Sequence, residues 1–166
     1  YEGGIRVPFM VKWNGVVKPD TRNNTSIMIE DLFPTLLHMA QVNDYNVPQI
    51  VDGKDMVPLL KGKNEAEFNK RSIIWNFPNS WGNTGPGINL NCAIRQGDWK
   101  LIYNYETGEK ELYNIPQDIG ENNNLAHANP SKVKELSSIL GKKLRQMNAQ
   151  RPVVTATSKP CAWPDE

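Results

Sequence analysis

The chain begins with an alternation of apolar and polar positions that changes to a helical spacing further along. Every second residue from Ile5 to Trp13 is apolar, and a period of two predicts a β-strand. Apolar side chains then recur every three or four residues, which predicts a helix from about Asp31 to Gln41 with Pro34 in its first turn. A strand followed by a helix is one α/β unit. Because a parallel sheet is covered on both faces, this unit predicts partner strands that the chain itself does not supply.

Short apolar segments separated by tight turns follow after residue 70. They predict strands at Ser72–Trp75, Cys92–Arg95, Trp99–Tyr105 and Glu111–Ile115. Strands this short and close form an antiparallel meander. Asn129-Pro130 is typical of a helix start, and the apolar face of that helix is expected to pack on one side of the meander. The residues after Gln150 include three prolines and show no periodicity, which predicts an extended or disordered tail.

These elements predict an α+β fold in three parts. Residues 1–66 would be the terminal strand and helix of a larger α/β domain, with a boundary near residues 63–70. Residues 67–150 would form a small antiparallel sheet packed on a C-terminal helix. Residues 151–166 would be the tail.

Composition excludes two kinds of partner. Lys and Arg number 19 and Asp and Glu number 18, which gives a net charge of +1. The chain therefore lacks the basic excess that nucleic-acid binding needs. No run approaches the roughly 18 apolar residues of a membrane span. We expect neither a nucleic-acid partner nor a membrane span.

The residues with catalytic chemistry do not form a recognisable site. His38 on the first helix and His127 in a polar segment have no Ser or Cys partner at an informative spacing. The only two cysteines are Cys92, expected to be buried, and Cys161, expected to be exposed in the tail. Whether they pair is open, and neither their spacing nor that of the histidines suggests a metal site. The sequence thus predicts no catalytic and no metal-binding residue.

One segment combines aromatic and amide side chains. It runs from Trp75 to Trp81 and includes Asn76 and Asn79. Aromatic faces contact sugar rings, and amides bond to sugar hydroxyls. Asn76, Asn79 and Trp81 are therefore the candidate substrate-binding residues. Burial of both tryptophans beneath the loop is the structural alternative.

Five segments carry motifs that also occur together in a known protein family. They are Glu2–Phe9 (E-G-G-x-R-x-P), Asp31–Leu37 (D-x-x-P-T-L-L), Asp52–Gly62 (D-G-x-S-x-x-P-L-L-x-G), Ala93–Ile102 (A-I-R-x-G-x-W-K-L-I) and Glu111–Ala126 (E-L-Y-D-L-x-x-D-x-x-E-x-x-N-L-A). In this order they resemble the C-terminal part of type I sulfatases, which are alkaline-phosphatase-like enzymes. The resemblance runs from residue 1 to about residue 150.

The resemblance implies a parent protein that hydrolyses sulfate esters of glycans or aryl sulfates. It also implies a formylglycine nucleophile, made within a C-x-P/A-x-R signature, and a calcium site, both lying upstream of Tyr1. Cys92-Ala93-Ile94-Arg95 lacks the central Pro or Ala of that signature. The chain alone is therefore expected to hold no cofactor and to be inactive.

The resemblance further implies that the main partner is the missing N-terminal part of the same protein. That part would cover the apolar face of the first strand, and a homodimer through this face is the alternative. The parent is expected to be periplasmic or secreted, and Arg6 to be an internal ion-pair partner rather than a sulfate ligand. Two other functions stay open, a related phosphodiesterase or phosphonate hydrolase and a non-catalytic carbohydrate-binding module.

Overall fold

The computed structural model describes residues 1–42, 44–63, 65–79 and 89–166. These residues form two compact units. The sheet unit comprises Tyr1–Arg6 and Ser72–Glu166, and the helical unit comprises Val7–Arg71. The first six residues therefore belong with the second half of the chain. The three predicted domain ranges stay a prediction.

Most helices are short, and all but the last precede the main sheet. They are α1 (Glu2–Ile5), α2 (Leu32–Met39), α3 (Val57–Leu60), α4 (Glu65–Lys70) and α5 (Pro130–Gln146), with a 3₁₀ turn at Ile29–Asp31 before α2. The strands are β1 (Ser72–Phe77), β2 (Asn91–Gln96), β3 (Trp99–Asn104), β4 (Lys110–Asn114), β5 (Val153–Val154) and β6 (Lys159–Pro160).

The first four strands form an antiparallel sheet in the order β1-β2-β3-β4, which confirms the predicted meander. Gly97 turns the chain between β2 and β3 with φ +57, a backbone conformation that favours glycine.

One face of the sheet packs on α5 and makes the core. Its central row is Ile74, Ile94, Leu101 and Leu112, and α5 contributes Leu136, Leu140 and Leu144. Each such leucine stabilises the fold by about 1.5–3 kcal/mol through burial.

The predicted helix near residue 31 is confirmed as α2, with Pro34 in its first turn. The predicted strand from Ile5 to Trp13 is corrected. Glu2–Ile5 form α1, and residues 7–13 pair with no strand among the described residues. Backbone groups of a strand need an adjacent strand for their hydrogen bonds. In this segment Val7 is 81% exposed and Met10 is 90% exposed.

The prediction that Cys161 is exposed in the tail is wrong. The tail forms the β5–β6 hairpin and then returns to the core, where Cys161 is buried and not exposed as expected. Arg151 Nη1 donates to the Cys161 carbonyl at 2.7 Å, and its guanidinium lies 4.2 Å from the centre of the Trp163 ring. Individual anchors of this kind carry no periodic signal in the sequence. Cys92 and Cys161 are both free.

Candidate functional site

Four charged side chains from separate parts of the sequence meet in the sheet unit. Lys100 Nζ lies 3.1 Å from Glu2 Oε1 and 2.9 Å from Glu121 Oε1, and Arg95 Nη1 lies 3.1 Å from Glu2 Oε2. The backbone N–H of Glu2 donates to the Glu121 carboxylate. Lys100, Glu2 and Glu121 are buried. We call these four residues the buried charge cluster.

The strand register explains why the cluster can form. Arg95 and Lys100 are cross-strand neighbours on the face of the sheet opposite α5. Helix α1 lies over them and brings one carboxylate to both cations. Two positive and two negative charges leave the cluster neutral, and a buried charge without such partners would be strongly destabilising. The cluster thus holds α1 on the sheet and has the features of a scaffold rather than of a reactive centre.

Tyr1 provides a second attachment for α1. Its hydroxyl donates to Glu111 Oε2 at 3.0 Å, and the Tyr113 hydroxyl donates to the same oxygen at 2.9 Å. Burial and then the nearby Glu111 carboxylate raise the pKa of Tyr1 to about 12. The hydroxyl therefore remains a hydrogen-bond donor at neutral pH.

The helical unit has its own buried ion pair. Arg71 Nη1 and Nη2 each lie 2.7 Å from an oxygen of Asp31, which also accepts the backbone N–H groups of Lys54 and Met28 at 2.8 Å. Burial alone would raise the pKa of Asp31. The Arg71 hydrogen bonds and the two backbone donors outweigh it and hold the pKa below its usual range.

Gly53 shows that the Asp52–Gly62 motif is also architectural. A Cβ atom placed on Gly53 would lie 2.0 Å from the Glu30 carbonyl oxygen. Only glycine allows the two backbones to approach this closely. The resulting contact holds the turn before α3 beside the turn before α2.

The two histidines differ in their surroundings. His38 Nδ1 lies 2.6 Å from Asp55 Oδ2, and Asp55 Oδ1 accepts the N–H of Val57 at the start of α3. His127 is exposed.

Arg6, expected to be an internal ion-pair partner, is exposed and forms no ion pair among the described residues.

Cys92 is not a reactive thiol. It is fully buried on the α5 side of the sheet, and burial raises its pKa to about 12. A thiol with so high a pKa is not a thiolate at neutral pH. Arg95, which follows it in the C-A-I-R segment, belongs to the buried charge cluster.

The structure describes two of the three predicted substrate-binding residues. Asn76 lies on the α5 side of β1, where its Oδ1 accepts the Tyr105 hydroxyl at 2.8 Å and its Nδ2 donates to the Gln150 carbonyl at 2.9 Å. Asn79 is exposed just after β1. Trp81 lies outside the described residues. Their role in substrate binding stays a prediction.

A cavity of about 190 Å³ lies on the face of the sheet opposite α5. We call it the open-face cavity. Its aromatic residues are Tyr1, Trp75 and Phe77, and its amides include Asn91 and Asn104. The segment from Trp75 to Trp81 supplies Trp75 and Phe77 to this cavity, but the amides come from β2 and β3 and not from that segment. The alternation along β1, combined with the strand register, is the signal that groups them.

The described residues contain no group of three or more His, Cys, Asp or Glu that could hold a metal ion. Within the same residues, no helix is long and apolar enough to cross a membrane.

Comparison with known proteins identifies the family. The family model described as "N-sulphoglucosamine sulphohydrolase, C-terminal" matches residues 1–150. The chain belongs to this family. The resemblance drawn from the five motifs is confirmed, and so is the assignment to the C-terminal part of the sulfatase fold.

The curated relatives of this sulfatase C-terminal domain are themselves sulfatases. A sulfatase of Formosa agariphila is 33% identical over 154 residues, covering 87% of this chain and 27% of the relative. An N-acetylgalactosamine-6-O-sulfatase of Bacteroides thetaiotaomicron is 29% identical over 156 residues, covering 84% of this chain and 27% of the relative. The chain therefore spans about a quarter of the length of these relatives.

Solved structures show the same fold. BT4656, in complex with its substrate D-glucosamine-2-N,6-O-disulfate, matches at a TM-score of 0.55 and 27% identity, covering 71% of this chain and 24% of that chain. The yidJ protein of Bacteroides fragilis matches at a TM-score of 0.58 and 22% identity, covering 82% and 29%. The family model and the sequence relatives favour the sulfatase interpretation over the phosphonate-hydrolase and carbohydrate-module alternatives.

Proposed function

We propose that the chain is the C-terminal part of an enzyme that hydrolyses sulfate esters of glycans. Family membership over residues 1–150 is the observation that carries this proposal. Relatives whose names specify a glycan substrate cover more of the chain than the steryl-sulfatases, which cover about half of it. Glycan esters are therefore the favoured substrates, and aryl sulfates are the second choice.

In this proposal the chain supplies architecture. The motif residues Glu2, Arg95 and Lys100 hold α1 to the sheet, and Asp31 and Gly53 hold the turns of the helical unit. The ion pairs neutralise buried charges, and Gly53 allows two backbone segments to approach closely. None leaves a nucleophile beside a base. The reactive groups would lie in a preceding segment.

Calcium and formylglycine would also belong to that preceding segment. The described residues offer no cluster of ligands suited to a metal ion, and the printed sequence contains no C-x-P/A-x-R segment. The residues present do not fit either group, so we assign no step of the reaction to this chain. Without those groups, the chain alone would not hydrolyse sulfate esters.

The exposed apolar residues of the helical unit support a covering partner. Val7, Met10 and Ile29 are at least 80% exposed. A large exposed apolar patch marks an interaction surface, and these three side chains are the candidates for such a patch. The preceding part of the same protein is the proposed partner, and a homodimer is the second candidate. The whole protein would be periplasmic or secreted, which cell fractionation tests.

The reaction class can be tested on the protein expressed with its upstream reading frame. We expect it to release sulfate from N-acetylgalactosamine 6-sulfate or glucosamine 6-sulfate, measured by ion chromatography. A phosphodiester and a phosphonate monoester at the same concentration serve as controls. Faster turnover of either control than of every sulfated sugar would contradict the proposal and favour the phosphodiesterase or phosphonate-hydrolase alternative.

A further inference from the structure

The floor of the open-face cavity follows from the register of three strands. Trp75, Ala93 and Ile102 lie side by side across β1, β2 and β3. Ala93 is small between two large side chains, so this row dips at its centre. All three residues line the cavity. The floor is therefore apolar and has an indole ring on one side.

The next row of the same face forms a rim of amides. Phe77, Asn91 and Asn104 are cross-strand neighbours and also line the cavity. Asn91 Nδ2 donates to the Asn89 carbonyl at 2.8 Å, and Asn104 Oδ1 accepts the N–H of Glu106 at 2.8 Å. These bonds fix both amide planes. Within the described part of the chain, Asn91 Oδ1 and Asn104 Nδ2 form no hydrogen bond.

Charged side chains of β3 and β4 close the other end of the cavity, where Glu111 is the cross-strand neighbour of Ile102. Lys100 reaches the cavity wall, but its ammonium group is paired with Glu2 and Glu121. Glu111 accepts the hydroxyls of Tyr1 and Tyr113. Lys100, the cation among the described lining residues, is thus already paired, so the cavity does not select for an anion.

We propose that the open-face cavity binds one pyranose ring of a glycan chain. The Trp75 ring contacts the apolar face of the sugar, while Asn91 Oδ1 and Asn104 Nδ2 bond to its hydroxyls. At about 190 Å³ the cavity is smaller than the roughly 300–1,000 Å³ of drug-sized ligand sites, which suits a single ring. This inference rests on the proposed function, because it assigns the cavity to a sugar unit of the glycan substrate.

The test is a titration of the intact protein, followed by tryptophan fluorescence and ligand-observed NMR. The probes are methyl glucopyranoside, its 6-sulfate, and cyclohexanol as an apolar ring with a single hydroxyl. Both sugars are expected to bind with similar affinity, and cyclohexanol more weakly. Trp75→Ala is expected to weaken sugar binding about threefold to tenfold. Ala93→Leu, which fills the dip, should abolish it.

Phe33→Ala is the matched control, because it removes an exposed aromatic ring from the helical unit. It should leave sugar affinity unchanged. Asn91→Ala serves where a cavity variant does not fold, and its expected effect is also a severalfold loss of affinity. The inference is overturned when the intact protein binds neither sugar, when cyclohexanol binds as well as the sugars, or when Phe33→Ala weakens binding as much as Trp75→Ala.

The two proposals fail separately. Sulfate release without Trp75-dependent sugar binding would overturn the cavity assignment alone. That result would favour coverage of this face of the sheet by the preceding segment. Trp75-dependent sugar binding without sulfate release would overturn the proposed reaction alone and favour a carbohydrate-binding module.

Discussion

Lys100 illustrates how far a residue's surroundings can depart from what its type suggests. Lysine is almost never fully buried unless it is paired, yet Lys100 is 2% exposed between two carboxylates. One partner lies far upstream and the other follows β4. The sequence placed Lys100 in a recognised motif, but nothing in that motif shows its burial, because the partners are brought together only by the fold.

Replacing Lys100 tests the buried charge cluster. Lys100→Met leaves Glu2 and Glu121 as buried carboxylates without their shared cation. We expect a loss of about 3–5 kcal/mol in the free energy of unfolding, measured by urea denaturation. Lys142→Met, at an exposed position of α5, should change it by less than about 0.5 kcal/mol. Equal effects of the two variants would show that the cluster contributes nothing specific.

Asp31 carries a prediction about pH. Its folded pKa is lowered, so the stability it contributes is present above the unfolded pKa of about 3.9 and is lost as the pH falls through the folded value. Asp31→Asn should therefore destabilise the chain at pH 6 and much less near pH 3, as followed by urea denaturation. Glu30→Gln, its exposed neighbour, is the control. A difference from the parent chain that does not vary with pH would contradict this assignment.

Gly53 carries a steric prediction. Gly53→Ala forces a Cβ atom against the Glu30 carbonyl, so we expect a loss of about 1–3 kcal/mol in the free energy of unfolding. Gly3→Ala has nothing within 4 Å of its added carbon and should be near neutral. Thermal melting of the two variants side by side is sufficient. A neutral Gly53→Ala would mean that the two turns are not held as closely as the structure shows.

At the scale of elements, the meander was predictable and the first strand was not. The β2–β3 hairpin follows from apolar runs around Gln96-Gly97-Asp98, since turn residues and alternation are local signals. A strand also needs a neighbour, and the segment Ile5–Trp13 has none among the described residues. The alternation is a local pattern, and it cannot supply the hydrogen-bonding partner.

The tail gives an element-scale prediction that differs from the sequence interpretation. Cys161, Trp163 and Pro164 return to the core, so deletion of residues 151–166 should destabilise the sheet unit by about 3 kcal/mol or more. The readout is thermal melting together with the rate at which Cys92 reacts with a thiol reagent. The double replacement of the exposed Val153 and Val154 by Ser should leave both unchanged. A tail that can be removed without effect would restore the original expectation.

At the scale of the whole molecule, the two units differ in how they treat their apolar side chains. The sheet unit buries its own core beneath α5. The helical unit exposes Val7, Met10, Ile29 and Leu36. It could not be predicted which sheet residues line the open-face cavity, because that depends on strand register.

The exposed surface predicts how the isolated chain behaves. The 166-residue chain should bind a hydrophobic dye or self-associate, as seen by dye fluorescence and analytical ultracentrifugation. Attachment of the preceding segment should suppress both. The double replacement of Val7 and Met10 by Ser should reduce dye binding in the isolated chain, whereas replacement of Val153 by Ser should not. Dye binding that is unaffected by the preceding segment would contradict the proposed partner.

Division of labour between this chain and a preceding segment is tested most directly by reconstitution. The two segments are produced as separate polypeptides, and sulfate release from a sulfated hexosamine is measured for each alone and for the mixture. We predict no turnover by either polypeptide alone and turnover by the mixture, which Lys100→Met in this chain should weaken. Turnover by residues 1–166 alone, or full turnover by the preceding segment without them, would contradict the account.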